Sequence, residues 1–352
     1  MRIILCEESH KRGWEDLVEG SEEATTGHLW QWREIVASAY GFKSFYLMAE
    51  EDGKPLAVAP FISVRSLLYG NELASMPYLD YGGVCHSSLL PEEARPEVDR
   101  AIFDYALKLA LGLNAKRLHV RSPLAPSDSR FEISLEKVAQ RLELAATAAE
   151  QLKRLPAERR NRLRRCERSG LKTEIYKPTD PQALKEFYAV YSTNMRDLGS
   201  PTHSAQFFRE VSERLQDYLT LIIIRYEGEP VAAALAFEFR KMIGLPWSGA
   251  TLAARPLYGN NALFWAGISM GIERGCHTFD FGRSSVGSGI FEFKRQWGPL
   301  PHQAYWCTIQ LRAGAKAPRE RRELNMASAI WKRVPLSITR IVGPMLRSGI
   351  SN

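Results

Sequence analysis

The sequence predicts an α/β protein, of α+β type, built from two tandem domains related by duplication. A basic helix lies between them and a basic amphipathic tail follows. Three observations carry this reading. The chain has 352 residues with 45% apolar and 25% charged content, an ordinary globular composition and length for two domains of ~100–200 residues each. The same order of elements, a helix, a hairpin, an extended run, a long helix and a strand, occurs in both halves. Finally, two separate stretches of the first half are echoed in the second, in the same order. Asp52-Gly53-Lys54-Pro55-Leu56-Ala57-Val58-Ala59 resembles Glu227-Gly228-Glu229-Pro230-Val231-Ala232-Ala233-Ala234, and residues 115–122 resemble 275–284. Self-similarity over ~100 residues marks a duplicated domain and not a short-period solenoid.

In chain order, residues 28–40 read as a short aromatic helix. Residues 45–50 and 55–64 are β-rich runs on either side of Glu51-Asp52-Gly53-Lys54, a hairpin signal. Residues 76–85 are rich in Tyr and Gly and read as extended. A helix is expected over 91–111, with Val98, Ile102, Tyr105, Leu109 and Leu113 on one stripe, and a strand over 117–121. In the second half, helices are expected over 181–197 (Leu184, Phe187, Tyr188 and Tyr191 inward) and 203–216. Strands at 219–224 and 230–239 flank the turn Tyr226-Glu227-Gly228-Glu229, and 242–252 is extended. A helix capped by Asn261 runs to Arg274 and closes at Gly275, and a strand spans 278–281. The expected boundaries are 1–150 for the first domain, 151–172 for the linker helix, 173–317 for the second domain and 318–352 for the tail.

The net charge of +7 is unevenly placed. Residues 150–172 carry nine Lys or Arg and three Glu, a local +6, and residues 318–352 carry a local +5, which leaves −4 for the rest. The helix ending at Gly170 bears Arg159, Arg160, Arg162, Arg164, Arg165 and Arg168 around most of its circumference. Arginine suits bidentate phosphate contact, so Arg159, Arg160 and Arg164 are candidate phosphate or tRNA contacts; a solvated linker helix is the bland alternative. Leu324, Ala327, Ile330, Trp331 and Val334, then Ile338, Ile341, Val342, Met345 and Leu346, make two apolar stripes broken at Pro335 and Pro344. Basic stripes of this kind fit an anionic membrane surface as well as a helix packed on the body. Glu7 and Glu8 interrupt the N-terminus before a secretory h-region could form. The scattered Cys6, Cys85, Cys166, Cys276 and Cys307 have no metal-ligand spacing, so free thiols, no metal site and a cytoplasmic location are expected.

Three motifs make the resemblance specific: Gly259-Asn260-Asn261-Ala262-Leu263-Phe264-Trp265, Phe279-Asp280-Phe281-Gly282-Arg283 and Phe291-Glu292-Phe293-Lys294-Arg295-Gln296-Trp297-Gly298. With the repeated unit, they resemble the GNAT acyltransferases and, in tandem, the FemAB-type aminoacyltransferases. Tyr78-Leu79-Asp80-Tyr81-Gly82-Gly83 and Leu155-Pro156-x-x-Arg159-Arg160 extend the likeness to the FemAB-related proteins associated with PEP-CTERM/exosortase systems and exopolysaccharide clusters. The resemblance implies a fold of two GNAT-like domains and direct acyl transfer to an amine, which requires alignment and oxyanion stabilisation but no nucleophilic Ser or Cys. It implies that Lys294 stabilises charge on the reacting carbonyl, and the alternation of Phe291, Phe293 and Trp297 predicts that Lys294 projects from a strand. Asp280 is the second candidate catalytic residue. Arg283, Phe293 and Ser284, at or near a strand end that faces a ligand crevice, are candidate substrate contacts. So are Asp80, Tyr81 and Arg121 in the first domain.

Acyl-CoA-dependent GNAT enzymes carry Arg/Gln-x-x-Gly-x-Gly/Ala at the start of the central helix, and its backbone amides wrap the pyrophosphate. The matching residues here are Arg255, Gly259, Asn260 and Asn261, with Tyr258 at the first glycine position. That departure tilts the donor toward aminoacyl-tRNA over acyl-CoA, and no tightly bound cofactor is expected. The resulting expectation is a transferase moving an amino acid or other acyl group onto an amine of a cell-envelope or exopolysaccharide precursor. The acceptor would be a small-molecule or lipid-linked sugar or peptide, peptidoglycan-like in kind, met at the inner face of the membrane. The alternatives are an acyl-CoA-dependent N-acyltransferase and a non-catalytic RNA- or lipid-binding assembly factor.

Overall fold

A computed structural model describes residues 1–66, 70–312 and 321–350. It divides into two compact units: Met1–Lys137 with Gln303–Pro318 and Arg347–Asn352, and Val138–His302 with Arg319–Leu346. The first unit begins with β1 (Arg2–Leu5), α1 (Lys11–Gly20), α2 (Trp32–Tyr40), β2 (Lys43–Glu51), β3 (Lys54–Val64), β4 (Glu72–Ala74) and β5 (Cys85–His86). It continues through α3 (Arg95–Gly112), β6 (Arg117–Ser122) and β7 (Glu132–Ser134). The second unit follows as β8 (Lys137–Glu143), α4 (Ala148–Arg154), α5 (Ala157–Arg168), β9 (Lys172–Tyr176), α6 (Pro181–Leu198) and α7 (Ala205–Arg214). Then come β10 (Leu219–Tyr226), β11 (Glu229–Phe239), β12 (Met242–Ala250), α8 (Gly259–Glu273), β13 (Thr278–Ser285), α9 (Gly289–Arg295) and β14 (Leu300–Gln303). Last are β15 (Tyr305–Gln310), α10 (Arg321–Trp331) and α11 (Leu336–Ser348).

One sheet has the order β1-β2-β3-β4-β6-β15-β7, with β5 paired to β3; the other has the order β14-β8-β13-β12-β11-β10-β9. The expected boundaries do not follow the sheets. β8, from within 1–150, joins the second sheet, and β15, from within 173–317, pairs with β6 and β7 in the first. Local periodicity reports that a segment is a strand but not which sheet receives it, so this exchange leaves no trace in pattern.

The duplication is written into backbone conformation. The β2–β3 turn has Asp52 and Gly53 at φ 50° and 75°, and the β10–β11 turn has Glu227 and Gly228 at φ 51° and 88°. Two consecutive positive φ values give the hairpin turn whose twist matches the strands. Just before each turn the register shifts, at Ala49/Glu50 and at Ile224/Arg225. Turn and bulge thus recur at the same 175-residue offset as the repeated sequence. Each unit also contains a parallel pairing of three residues, Glu72–Ala74 with Arg117–His119 and Met242–Gly244 with Thr278–Asp280.

Each unit has its own core. Leu47, Phe61, Ile102, Phe103 and Leu118 anchor the first, and Ile222, Ile224, Leu245, Ile268 and Phe279 the second. Burying such side chains stabilises a fold by about 1.5–3 kcal/mol each. The buried seam of α3 runs through Val98, Ile102, Phe103, Ala106 and Ala110. Tyr105, Leu109 and Leu113 are only partly buried, a rotation of the expected stripe. Residues 76–85 form turns with only the two-residue β5 at their end, because Met76 and Tyr78 take φ of 39° and 77°. In the tail, Pro335 precedes α11 as expected, but Pro344 lies inside that helix and does not break it. The side chain of Leu324 lies outside the described residues. Among the described residues no helix is long and apolar enough to cross a membrane.

Candidate active site

The strands that frame the site part company at a defined point. β12 and β13 pair only from Met242 to Gly244 and from Thr278 to Asp280, yet β12 continues to Ala250 and β13 to Ser285. Gly244 is required at the last paired position, since a Cβ there would lie 2.6 Å from the Asp280 carbonyl oxygen. Beyond it the ladder between the two strands ends, and each runs on without the other.

The end of β13 is shaped from within. One Asp280 carboxylate oxygen accepts from the Gly282 N–H at 2.7 Å and the other lies 3.5 Å from Arg141 Nε. Gly282 has φ 70°, the left-handed region that a non-glycine residue enters at a cost. The Ser284 hydroxyl, buried, bonds the buried Gln140 side chain of β8 at 3.2 Å. Arg283 is half-buried.

Lys294 is the group aimed at this strand end, but from a helix. The expectation that Lys294 projects from a strand is corrected: Ser288 caps α9 by accepting from the Phe291 N–H, and residues Gly289–Arg295 are helical. The Phe-Glu-Phe alternation imitated a period of two over a segment too short to discriminate. Lys294 is 7% exposed. Its Nζ donates to the Gly282 carbonyl at 3.1 Å and to the Arg283 carbonyl at 2.9 Å. A buried ammonium is tolerated only with such partners. Neighbouring Glu292 pairs with Arg295 at 2.7 Å and does not act on Lys294 in this arrangement.

What holds α9 in place is Arg159, and here the sequence reading is again corrected. Arg159 was expected to face phosphate; it is 2% exposed. Its guanidinium donates to Asn261 Oδ1 at the start of α8, to Gln296 Oε1 at 2.5 Å and to the Phe293 carbonyl at 3.4 Å. It also lies over the rings of Trp297 (4.6 Å) and Phe293 (5.2 Å). Burial, then the nearby Arg162, lowers its pKa to about 10. Phe293 is partly buried against Phe264 and Trp297. Of the other two expected contacts, Arg160 donates back to the Leu155 and Lys153 carbonyls, and Arg164 is exposed beside Asn161.

The start of α8 also differs from expectation. Asn261 does not cap it; the helix begins at Gly259, and Tyr258 precedes it at φ 59° with no side-chain cap. Tyr258 thus adopts the left-handed backbone for which glycine is the usual choice. It is held there by α5, whose Arg165 donates to the Tyr258 hydroxyl at 2.9 Å and whose Cys166 Sγ donates to the Tyr258 carbonyl at 3.4 Å. A Cβ on Gly259 would lie 2.7 Å from Ala254 Cβ. Arg255 and Asn260 are exposed and Asn261 is buried.

In the first unit, Arg121 is fully buried at the end of β6. It donates to the Leu79 carbonyl at 2.7 Å and lies 4.9 Å from the Trp306 ring centroid. Tyr81 is buried, and Gly27 packs so closely on its carbonyl that a Cβ would be 2.2 Å from the oxygen. Asp80 is half-buried. These three belong to one neighbourhood through Leu79, while Lys294, Asp280, Arg283, Ser284 and Phe293 form the other in the second unit.

Burial raises the thiols of Cys6 and Cys307 to about 12 and those of Cys166 and Cys276 to about 11. None of these is an activated nucleophile at neutral pH. Sequence reasoning missed Gln140 and Arg141, whose strand was unassigned, and the inward turn of Arg159. It also missed a cluster in the first unit, where His86 bridges Glu23 and Asp99 at 2.8 Å each.

The comparisons with known proteins agree with this architecture. Residues 157–295 match a family model described as an acetyltransferase (GNAT) domain. That segment of the second unit is thus similar to a GNAT acetyltransferase domain, and the chain as a whole has a mixed α/β fold like that of tandem GNAT proteins. Among solved structures, FemX aligns with a TM-score of 0.65 at 13% identity, covering 88% of this chain and 98% of FemX. The C-terminal domain of a lysylphosphatidylglycerol synthetase from Agrobacterium fabrum aligns at 0.56 and 14% identity, covering 92% of this chain and 96% of that one. A tandem GNAT protein from the clavulanic acid biosynthesis pathway aligns at 0.55 and 10% identity, covering 90% and 98%. No curated protein sequence matches the chain. At these identities the likeness is one of fold.

Proposed function

We propose that this chain transfers an acyl or aminoacyl group directly from an activated donor to an amine of a cell-envelope or exopolysaccharide precursor. The observation that carries the reading is the buried Lys294 ammonium, held against the Gly282 and Arg283 carbonyls where the pairing of β12 and β13 has ended. An amine nitrogen attacking the donor carbonyl forms a C–N bond and a tetrahedral oxyanion. Lys294 supplies fixed positive charge to that oxyanion in a water-poor setting. Collapse breaks the C–S or C–O bond to the donor, and the proton lost by the amine goes to the leaving thiolate or alkoxide. Asp280 acts in this scheme by holding Gly282, and so the carbonyls that orient Lys294. Arg283, Ser284 and Phe293 line the acceptor side, and the raised thiols argue for direct transfer over an acyl-enzyme.

For the donor, the start of α8 is the proposed binding element, with Arg255, Gly259, Asn260 and Asn261. An aminoacyl-tRNA donor is supported by the cations that α5 leaves exposed, Arg164, Arg165 and Arg168; Arg159 drops out of that role. The glycine-like backbone of Tyr258 favours the second reading, acyl-CoA, since it preserves a pyrophosphate-wrapping loop despite the side chain. In the first unit Asp80, half-buried, keeps the proposed acceptor-contacting role, while Tyr81 and Arg121 are buried behind it and drop out of direct contact as Arg159 does. A lipid-linked acceptor is supported by the fold shared with a lysylphosphatidylglycerol synthetase and by the basic amphipathic tail. The PEP-CTERM/exosortase association rests on the sequence motifs alone. Calorimetry with coenzyme A and with charged tRNA at several salt concentrations tests the donor, because tRNA binding must weaken steeply with salt. Labelled transfer to lipid-linked precursors tests the acceptor. A protein that binds RNA or lipid but gives no product with either donor would be the assembly factor instead.

A further inference from the structure

The two faces of α11 have opposite fates. On one face Thr339 and Gly343 are buried, and a Cβ at Gly343 would lie 3.2 Å from the Thr202 backbone nitrogen. Arg340 on that side donates to the Ser192 hydroxyl of α6 at 2.9 Å and lies over the Tyr188 ring. Its contacts fix the rotation of α11. The other face presents Ile338, Ile341, Val342 and Met345, at 48%, 71%, 37% and 72% exposure, the i, i+3, i+4, i+7 spacing of a single stripe. On α10, Met326 and Ile330 are exposed one turn apart, at 60% and 63%. Lys332 and Arg333 are exposed between the two helices, and residues 326–350 contain no Asp or Glu at all.

We infer that this stripe is a membrane-docking surface for anionic lipid, with Ile338, Ile341, Val342 and Met345 entering the headgroup boundary and Lys332 and Arg333 meeting the phosphates. Exposed apolar residues in a continuous row mark a binding surface. A row on a segment whose only charges are cations favours an anionic occupant, and a single convex helix face suits an interface between lipid and water. Because Arg340 is turned inward, the outward charge resides on Lys332 and Arg333. The inference deepens the reading of a lipid-linked acceptor and is tested apart from it, since vesicle binding requires no chemistry at Lys294.

The test is co-sedimentation of the full chain with phosphatidylcholine vesicles, with or without about 30 mol % phosphatidylglycerol. Expected is binding to the anionic vesicles, weakened as salt rises from about 50 to about 500 mM. Ile341→Asp should cut that binding by at least ~10-fold, and Lys332→Glu with Arg333→Glu should flatten its salt dependence. Circular dichroism of Ile341→Asp should match wild type, because the residue is solvent-exposed. Equal binding to both vesicle types, no binding to either, or an unaltered Ile341→Asp variant would overturn the proposal. So would a dimer in sedimentation velocity that Ile341→Asp dissociates, since the stripe would then be a contact between two copies of the chain.

Discussion

Arg159→Ala is the perturbation that most sharply separates a structural tie from a ligand contact on α5. The wild-type guanidinium serves Asn261, Gln296 and the Phe293 carbonyl and stacks on Trp297 and Phe293. A hydrogen bond from a charged donor contributes about 1.5–3 kcal/mol, and a desolvated cation–π contact about 1–2 kcal/mol. Against this stands the cost of burying the charge, evident in the pKa lowered to about 10 by burial and Arg162. Truncation strands the Asn261 oxygen and opens a void beside Trp297, so a net loss of about 3–4 kcal/mol is expected. Gln296 loses less, because Arg162 also reaches it at 3.2 Å. Arg159→Met should cost only about 1–2 kcal/mol, since it fills the space and removes the desolvated charge. Arg164→Ala, at an exposed position, should stay within about 0.5 kcal/mol of wild type. Urea unfolding followed by circular dichroism measures all three. If Arg159→Ala unfolds together with Arg164→Ala, Arg159 does not anchor α9 and the packing account of Lys294 is wrong.

Two further outcomes follow from the charged and thiol groups. Burial opposes the charge on His86, but the hydrogen bonds it donates to Asp99 and Glu23 outweigh that and raise the pKa to about 9. A raised pKa means that its stabilisation is fully present below the unfolded value near 6.5 and is lost as pH rises through about 9. The loss should be roughly 3 kcal/mol by pH ~10, and urea melts of His86→Gln should lack this drop; a wild-type curve flat across that range would refute it. Native protein at neutral pH should resist alkylation at Cys6, Cys166, Cys276 and Cys307, whose buried thiols are raised to about 11–12. Rapid labelling of Cys166, read by mass spectrometry, would contradict the packing of α5 on Tyr258.

The fold was legible wherever chemistry is local. Asp52-Gly53 and Glu227-Gly228 announce their hairpins because the backbone there demands positive φ, and the matching offset exposes the duplication. What pattern could not supply was partnership over distance. Strand exchange by β8 and β15 changes no periodicity, and the inward turn of Arg159 depends on Asn261 and Gln296, more than a hundred residues away. Lys294 was singled out through its motif as a candidate, but the helix that carries it was not read. Ser288 before Gly289 was the available signal, a cap at the right place, outweighed by the alternating phenylalanines.

The central claim is that Lys294 stabilises charge on a carbonyl during direct transfer. Its most direct test is single-turnover transfer of a labelled acyl or aminoacyl group by wild type, Lys294→Met and Lys294→Arg, with donor binding measured alongside. The account predicts a fall in the rate of roughly 10²–10³-fold for Lys294→Met, with donor affinity nearly unchanged and partial recovery in Lys294→Arg. A Lys294→Met protein that is folded and transfers at the wild-type rate would contradict it.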